Sequence, residues 1–368
     1  MTDLRIRADL DVVPSYAQGR PAPVGTDRES FKISSNENPY PPLPSVIERI
    51  ARTLTTINRY PESAATTLTA RLADRFDATA DQIVLGAGSI EVVSQLIRAT
   101  SSHGDEVVFA WRSFEAYPML VRAAGAEPVQ VPLDAEHRHD LAAMAAAITE
   151  RTSLVMVCSP NNPTGTSIGD AELSDFLARV PAHIPVLIDE AYVHFNRRSD
   201  TAVGIELFRS HPNVVVAHTF SKAYGLAGAR VGYAIAPTAL AAAMRKMAIP
   251  FAVTAQAQMA AIASLDAEAE LQERVDALIA ERERVVAALR QEGWSLPETQ
   301  TNFIWLPLGA DTMPAVGVFA ELGLTVRGFD GEGLRATIAE TAANDRILEV
   351  AAALVERGLT GGIVRTGA

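Results

Sequence analysis

Residues 214–236 read VVVAHTFSKAYGLAGARVGYAIA, two apolar runs flanking a segment of small, polar and glycine residues. Val214–Ala217 and Val231–Ala236 are rich in β-branched and small apolar residues, the pattern of strands buried on both faces. Between them Lys222 and Arg230 are set among Gly225, Gly228 and Gly232, residues that permit close backbone approach.

Upstream, similar runs recur at Ile83–Leu85, Val107–Ala110, Val129–Val131, Leu154–Cys158 and Val186–Ile188. Helix-like segments such as Glu91–Thr100, Leu141–Ile148 and Ala171–Val180 separate several of them. This alternation predicts an α/β fold with a mostly parallel, seven-stranded sheet covered on both sides. Ligands of such sheets bind beyond the carboxyl ends of the strands.

Downstream, residues 255–292 read as helix, broken near Leu265-Asp266. Strand-like Asn302–Leu306, helix-like Val316–Leu322, strands near Thr325–Arg327 and Leu334–Ile338, and a last helix after Asn344 suggest a smaller α+β domain. Residues 1–44 carry five prolines between Pro21 and Pro42, which remove backbone donors and disfavour a regular element. They are expected to be a disordered tail or an extended arm packed on the rest. The expected organisation is an arm over 1–44, a large domain over 45–255, and a small domain over 256–368 that packs with the arm.

Bulk composition narrows the function. With 32 basic and 44 acidic residues the formal charge is −12, and no Lys/Arg-rich run offsets it, which argues against nucleic-acid binding. The single cysteine, Cys158, precludes an internal disulfide and fits a reducing compartment. The N-terminus lacks the apolar core of a signal peptide, and no apolar stretch is long enough to span a bilayer. The expectation is a cytoplasmic protein without membrane partners. No nearby acid–histidine–cysteine constellation completes a metal site around His137 and His139, so no metal is expected.

Three strand ends in succession deliver polar groups. Leu154–Cys158 runs into Ser159-Pro160-Asn161-Asn162-Pro163-Thr164-Gly165, Val186–Ile188 into Asp189-Glu190-Ala191-Tyr192, and Val214–Ala217 into His218-Thr219-Phe220-Ser221-Lys222. Taken singly, these are an ordinary turn, a helix N-cap and a surface lysine. Their joint order is far more specific. Gly86-Ala87-Gly88 could open a dinucleotide fingerprint, but Glu91 stands where its third glycine belongs, and no P-loop motif exists.

Asn, then Asp-x-x-Tyr, then Ser-Lys-x-x-Gly-x-x-Gly-x-Arg-x-Gly resembles the fold-type-I pyridoxal-phosphate aminotransferases of class I and II, over nearly the whole chain. The resemblance implies that Lys222 holds pyridoxal 5'-phosphate through its ε-amine and later moves a proton, which requires the neutral amine. It implies that Asp189 faces the protonated ring nitrogen, that Tyr192 and Asn162 bond the ring's phenolic oxygen, and that Phe114 stacks on the ring. The phosphate is expected at the start of the helix following Ile83–Leu85, on the backbone of Ser89 and Ile90, with Ser221, Arg230 and Thr219 nearby. Tyr60, in Asn58-Arg59-Tyr60-Pro61, matches a tyrosine that reaches the phosphate of the neighbouring subunit, implying a homodimer. Arg335 matches the arginine that binds the substrate carboxylate. Asn38 and Tyr40, in the Asn36-Glu37-Asn38-Pro39-Tyr40 segment, are expected to contact substrate.

Within the family the chain is most similar to the histidinol-phosphate aminotransferase branch, through Asn36–Pro39, Asn58–Pro61 and Phe220–Gly228. Trp111–Pro118, Pro250–Val253 and Asn302–Leu308 resemble that branch's aromatic (phenylalanine) aminotransferase subgroup. Ile90 stands where histidinol-phosphate enzymes often carry an acid or amide, which favours an apolar substrate end. Against this, Arg327 matches an arginine that helps receive the substrate phosphate in those enzymes. The resulting expectation is amino transfer from an aromatic L-amino acid to 2-oxoglutarate, giving an aryl pyruvate and L-glutamate. The alternatives are the histidinol-phosphate reaction of histidine biosynthesis and a threonine-phosphate decarboxylase. A cofactor-sensing regulator would need a DNA-binding module that 44 proline-rich residues cannot supply.

Overall fold

The computed structural model describes residues 29–363, together with Leu4, Arg7, Asp11 and Val13; most of the predicted 1–44 arm lies outside the described residues. Strand β1 (Phe31–Lys32) precedes β2 (Ile83–Gly86), β3 (Glu106–Trp111), β4 (Glu127–Pro132), β5 (Thr152–Cys158), β6 (Val186–Asp189), β7 (Val214–Thr219) and β8 (Gly232–Ile235). The last seven form one sheet, in the order β2-β8-β7-β6-β5-β3-β4. Within it β8 alone runs against its neighbours. The predicted seven apolar runs are therefore the seven strands, within a residue or two at each end.

Helices α1 (Pro44–Thr53), α2 (Thr66–Phe76), α3 (Ser89–Thr100), α4 (Tyr117–Ala124), α5 (Leu141–Ala146), α6 (Asp170–Leu177), α7 (Gly204–Ser210) and α8 (Thr238–Met247) accompany this sheet. One face packs Val84, Phe109, Met156, Leu187 and Val215 against α3, α4 and α8. The other packs Val108, Val155, Val157, Ile188 and Val216 against α5, α6 and α7. Successive strand residues thus feed opposite cores, which is why the runs are apolar throughout. Each fully buried Val or Leu contributes about 1.5–3 kcal/mol relative to exposure.

Helices α9 (Ala255–Asp266) and α10 (Glu268–Gln291) meet at the predicted break. Beyond them β9 (Phe303–Leu306), α11 (Thr312–Glu321), β10 (Leu324–Thr325), β11 (Arg327–Phe329), β12 (Gly333–Thr337) and α12 (Thr341–Glu356) complete the chain's order. Strands β11-β12-β9 form an antiparallel sheet over a separate core of Ile304, Leu306, Leu334, Phe319, Ile347 and Val350. The single strand expected near 325–327 is two, because the chain leaves one sheet and joins another at Val326. Helix α12 starts at Thr341, ahead of Asn344. From inside the first turn Asn344 accepts the Ala339 N–H and donates to the Ala339 carbonyl, a capping function read from sequence as a start signal.

The described end of the arm is ordered into the fold. β1 pairs in parallel with β10, Phe31 opposite Leu324. The Asn36 N–H donates to Thr337 Oγ1 at 3.0 Å, and Asn36 is fully buried. Of the two expectations for this segment, a packed arm is what residues 30–43 form, with a short strand that proline content had argued against. Among the described residues no helix is long and apolar enough to cross a membrane.

Candidate active site

The carboxyl ends of β5, β6 and β7 and the start of α3 open on a cavity of about 340 Å³, within the ordinary size range of small-molecule sites. It is roofed by the arm and by the β11–β12 pair.

The floor is built by β6. Asp189, its last residue, is 4% exposed. Its Oδ2 accepts the Tyr117 hydroxyl at 2.7 Å and its Oδ1 the Ala191 N–H at 3.2 Å. Burial pushes this carboxyl above its usual range, against the pull of those two donors. A desolvated acid in a cavity wall calls for a cationic partner from the ligand. Tyr192 follows on the same loop, its ring edge-on to Phe303 at 5.1 Å and its hydroxyl accepting Asn36 Nδ2 at 2.8 Å. Burial raises the Tyr192 phenol, which therefore stays protonated.

Beyond β7, Lys222 Nζ points into the cavity and donates to the Ser35 carbonyl at 3.1 Å. Enclosure by protein, reinforced by the positive charge of Arg335, pushes this amine down to about 7. A large neutral fraction at physiological pH is the condition for a nucleophilic or basic lysine. Asn38, by contrast, donates to the Ala223 carbonyl at 3.0 Å and supports the Lys222 loop from behind.

At the other end, α3 begins at Ser89 after Gly88, which has φ +85° and no side chain to cap the helix. Gly232 on β8 sits so close that a Cβ there would stand 2.4 Å from the Ser89 nitrogen. Arg230 donates to the carbonyls of Ala87 at 3.1 Å and Ala227 at 3.0 Å and to Ser221 Oγ at 3.3 Å. The Ser221 N–H in turn donates to Thr219 Oγ1 at 3.0 Å. A bare helix N-terminus with hydroxyls and a guanidinium beside it suits a dianion.

The roof carries two arginines. Arg335 is buried and donates to Asn162 Oδ1 and, at 2.6 Å, to the Ser34 carbonyl. Arg327 donates to Glu115 Oε2, from Nη2 at 2.7 Å and from Nε at 3.2 Å.

The cavity lining thus brings together Lys222, Asp189, Tyr192, Asn162, Phe114, Ser89, Ile90, Thr219, Ser221, Arg230, Arg335 and Arg327. Three sequence-predicted residues lie outside it. Asn38 is turned to the backbone, Tyr40 is half-exposed with the Arg274 guanidinium 5.8 Å from its ring, and Tyr60 is 83% exposed, stacked on Phe251 at 4.8 Å. Sequence reading assigned no role to Tyr117, Asn36 or Glu115. Tyr117 and Glu115 stand within three residues of Phe114, inside the Trp111–Pro118 stretch that carried only a subgroup resemblance. Asn36 has φ +53°, a conformation asparagine tolerates better than most residues.

The chain belongs to the aminotransferase class I and II family, which matches residues 28–349. It is similar to the aromatic amino acid aminotransferase of Streptomyces avermitilis, 52% identical over 95% of this chain and 97% of the relative. A second such relative, from Rhodococcus jostii, is 50% identical over 98% and 99% of the two chains. The solved histidinol-phosphate aminotransferase of Sinorhizobium meliloti, in complex with pyridoxal-5'-phosphate, superposes with a TM-score of 0.82 at 28% identity, over 89% of this chain and 92% of that one. The fold is fold type I, with the mostly parallel sheet the sequence implied.

Proposed function

We propose that the chain is a pyridoxal-phosphate-dependent aromatic amino acid aminotransferase that passes the amino group of an aromatic L-amino acid to 2-oxoglutarate. The observation carrying the chemistry is an enclosed lysine amine, pushed down to about 7, in one cavity with a desolvated carboxyl and a bare helix N-terminus. These residues fit the cofactor. Lys222 would hold it through Nζ, Asp189 would face its ring nitrogen, and Tyr192 and Asn162 its phenolic oxygen. Phe114 would stack on the ring, and Ser89, Ile90, Thr219, Ser221 and Arg230 would surround the phosphate. When bound, the cofactor supplies an electron sink for the pair left at the substrate Cα.

The protein's own part is binding and proton transfer. Arg335 offers a planar fork to the substrate carboxylate, exchanging the Ser34 carbonyl for it. Lys222 Nζ, once the substrate's own amine has freed it from the cofactor, would take the proton from Cα and return it in the reverse half-reaction. Burial raises the Asp189 carboxyl, so a positive charge opposite it is favoured, and it would favour the protonated ring nitrogen. Asn36 fixes the Tyr192 hydroxyl, and Tyr117 fixes Asp189.

The aromatic donor is supported by relatives about 50% identical over nearly their full length. It is supported also by the Arg327–Glu115 pair, which commits the arginine that the histidinol-phosphate reading would need. We assign the arm to 1–44, the large domain to 45–255 and the small one to 256–368, consistent with the latter's separate core. The exposed Tyr60–Phe251 stack suits a homodimer in which Tyr60 reaches the neighbouring site, and the enzyme is assigned to the cytoplasm.

The test is a donor panel on purified protein. kcat/KM for phenylalanine, tyrosine and tryptophan should exceed that for histidinol phosphate, with ping-pong kinetics against 2-oxoglutarate. Preference for histidinol phosphate overturns the donor assignment. Retained turnover in Lys222→Ala overturns the site.

A further inference from the structure

The cavity roof presents two guanidiniums where one carboxylate needs one. Arg327 and Arg335 stand directly opposite each other on the antiparallel β11–β12 pair, so their side chains leave the same face of that sheet. Both line the cavity. Side by side, two such groups would make a clamp for a phosphate monoester, which carries close to two negative charges at neutral pH and three acceptor oxygens.

Arg327, however, is already engaged. Glu115, immediately after Phe114 in the loop that leaves β3, lines the same cavity and takes both Nη2 and Nε of Arg327 on one oxygen. The two side chains are only 19% and 18% exposed, so this is no solvated surface pair. The neighbouring carboxylates are committed elsewhere. Glu332 accepts Arg112 Nε at 2.8 Å, with both Arg112 and Arg327 against the Phe329 ring, and Glu37 is paired with Lys32.

We propose that Glu115 is the residue that sets the anion class of the donor, admitting a monocarboxylate and rejecting a phosphate dianion. This rests on the aromatic-donor reading given above. With Glu115 in place, a dianion meets a carboxylate across the cavity and an arginine whose donors are taken. Displacing Glu115 would leave a partly buried charge without its cation, the costly half of breaking such a pair. A single carboxylate served by Arg335 demands no such displacement. Selectivity of this kind comes from a repulsive element built against the wrong ligand.

The test compares the holoenzyme with Glu115→Gln and with the double variant Glu115→Gln/Arg327→Gln. The readout is the ratio of kcat/KM for histidinol phosphate to kcat/KM for L-phenylalanine. In the single variant the ratio rises about tenfold or more, the effect of removing one nearby like charge, and in the double variant the gain is lost. An unmoved ratio overturns the proposal, and so does a gain that survives removal of Arg327. Should Glu115→Gln turn over neither donor, calorimetric titration of that holoprotein with histidinol phosphate decides, and affinity equal to the parent's overturns it. The wild-type arm keeps the two readings apart. A parent that prefers histidinol phosphate sinks the aromatic assignment, whereas a parent that prefers phenylalanine, with a ratio indifferent to Glu115, sinks this inference alone.

Discussion

Alanine at Gly232 should loosen the cofactor's phosphate without replacing any residue that would bond it. A Cβ at 232 would stand 2.4 Å from the Ser89 nitrogen, 2.6 Å from the Gly88 carbonyl carbon and 3.0 Å from the His218 oxygen. All are backbone atoms, so no rotamer relieves the contact. Ordinary van der Waals contact begins at 3.4 Å, so the Gly88–Ser89 peptide must retreat by about 1 Å. Strand β8 is held on both sides, Gly232 pairing with Gly86 and with Thr219, and the yielding part is the first turn of α3. Overpacking of this kind costs about 1–3 kcal/mol. At ~1.4 kcal/mol per decade, that predicts a pyridoxal-phosphate dissociation constant raised roughly tenfold to hundredfold. Titration of the apoprotein, followed by cofactor absorbance, measures it. Gly228→Ala, where a Cβ would meet nothing within 4 Å, is the control and should change neither affinity nor melting temperature. A folded Gly232→Ala protein that binds the cofactor as tightly as its parent would refute the cradle at α3.

Lys222 ties stability to pH. Its amine is held at about 7 in the fold against 10.5 for a free lysine side chain, so between those values the folded apoprotein binds fewer protons than the unfolded chain and gains stability as pH rises. Lys222→Met apoprotein should therefore be the more stable at pH 7, with the gap closing by up to ~1.4 kcal/mol per pH unit toward pH 10 in denaturant titrations; a constant gap would exclude a depressed lysine. Asp189→Asn keeps the shape but removes the charge, and kcat should fall roughly 100-fold or more with the circular dichroism unchanged. A loss below about threefold would show that Asp189 does not act on the reacting system. Arg335→Lys cannot reproduce the two bonds to Asn162 and Ser34, and KM for an aromatic donor should rise about tenfold; an unchanged KM would move the carboxylate site elsewhere.

What could be read in advance follows from how α/β sheets are built. Parallel strands covered on both faces must be apolar throughout, so they announce themselves, and their carboxyl ends converge by topology. Asn162, Asp189, Ser221 and Lys222 came with the strands. Contacts between distant segments left no such trace. Tyr117 meets Asp189 across 72 residues, Asn36 meets Tyr192 across 156, and Glu115 meets Arg327 across 212. No periodicity encodes a partner that far along the chain. Asn38 lies two residues from Asn36 and shares its chemistry, yet faces the Ala223 carbonyl; which asparagine points inward is decided by the backbone at Asn36. Strand β1, two residues long, is too short to show alternation and exists because β10 offers it an edge.

That pairing has a consequence for biogenesis. Phe31 cannot meet Leu324, nor Asn36 meet Thr337, until the chain through Thr337 has left the ribosome. Before then Tyr192 lacks its amide donor, and Arg335 has yet to be synthesised. The seven-stranded sheet can form as the nascent chain lengthens, but a finished catalytic chamber cannot. The chamber is therefore complete only once the small domain's strands are in place.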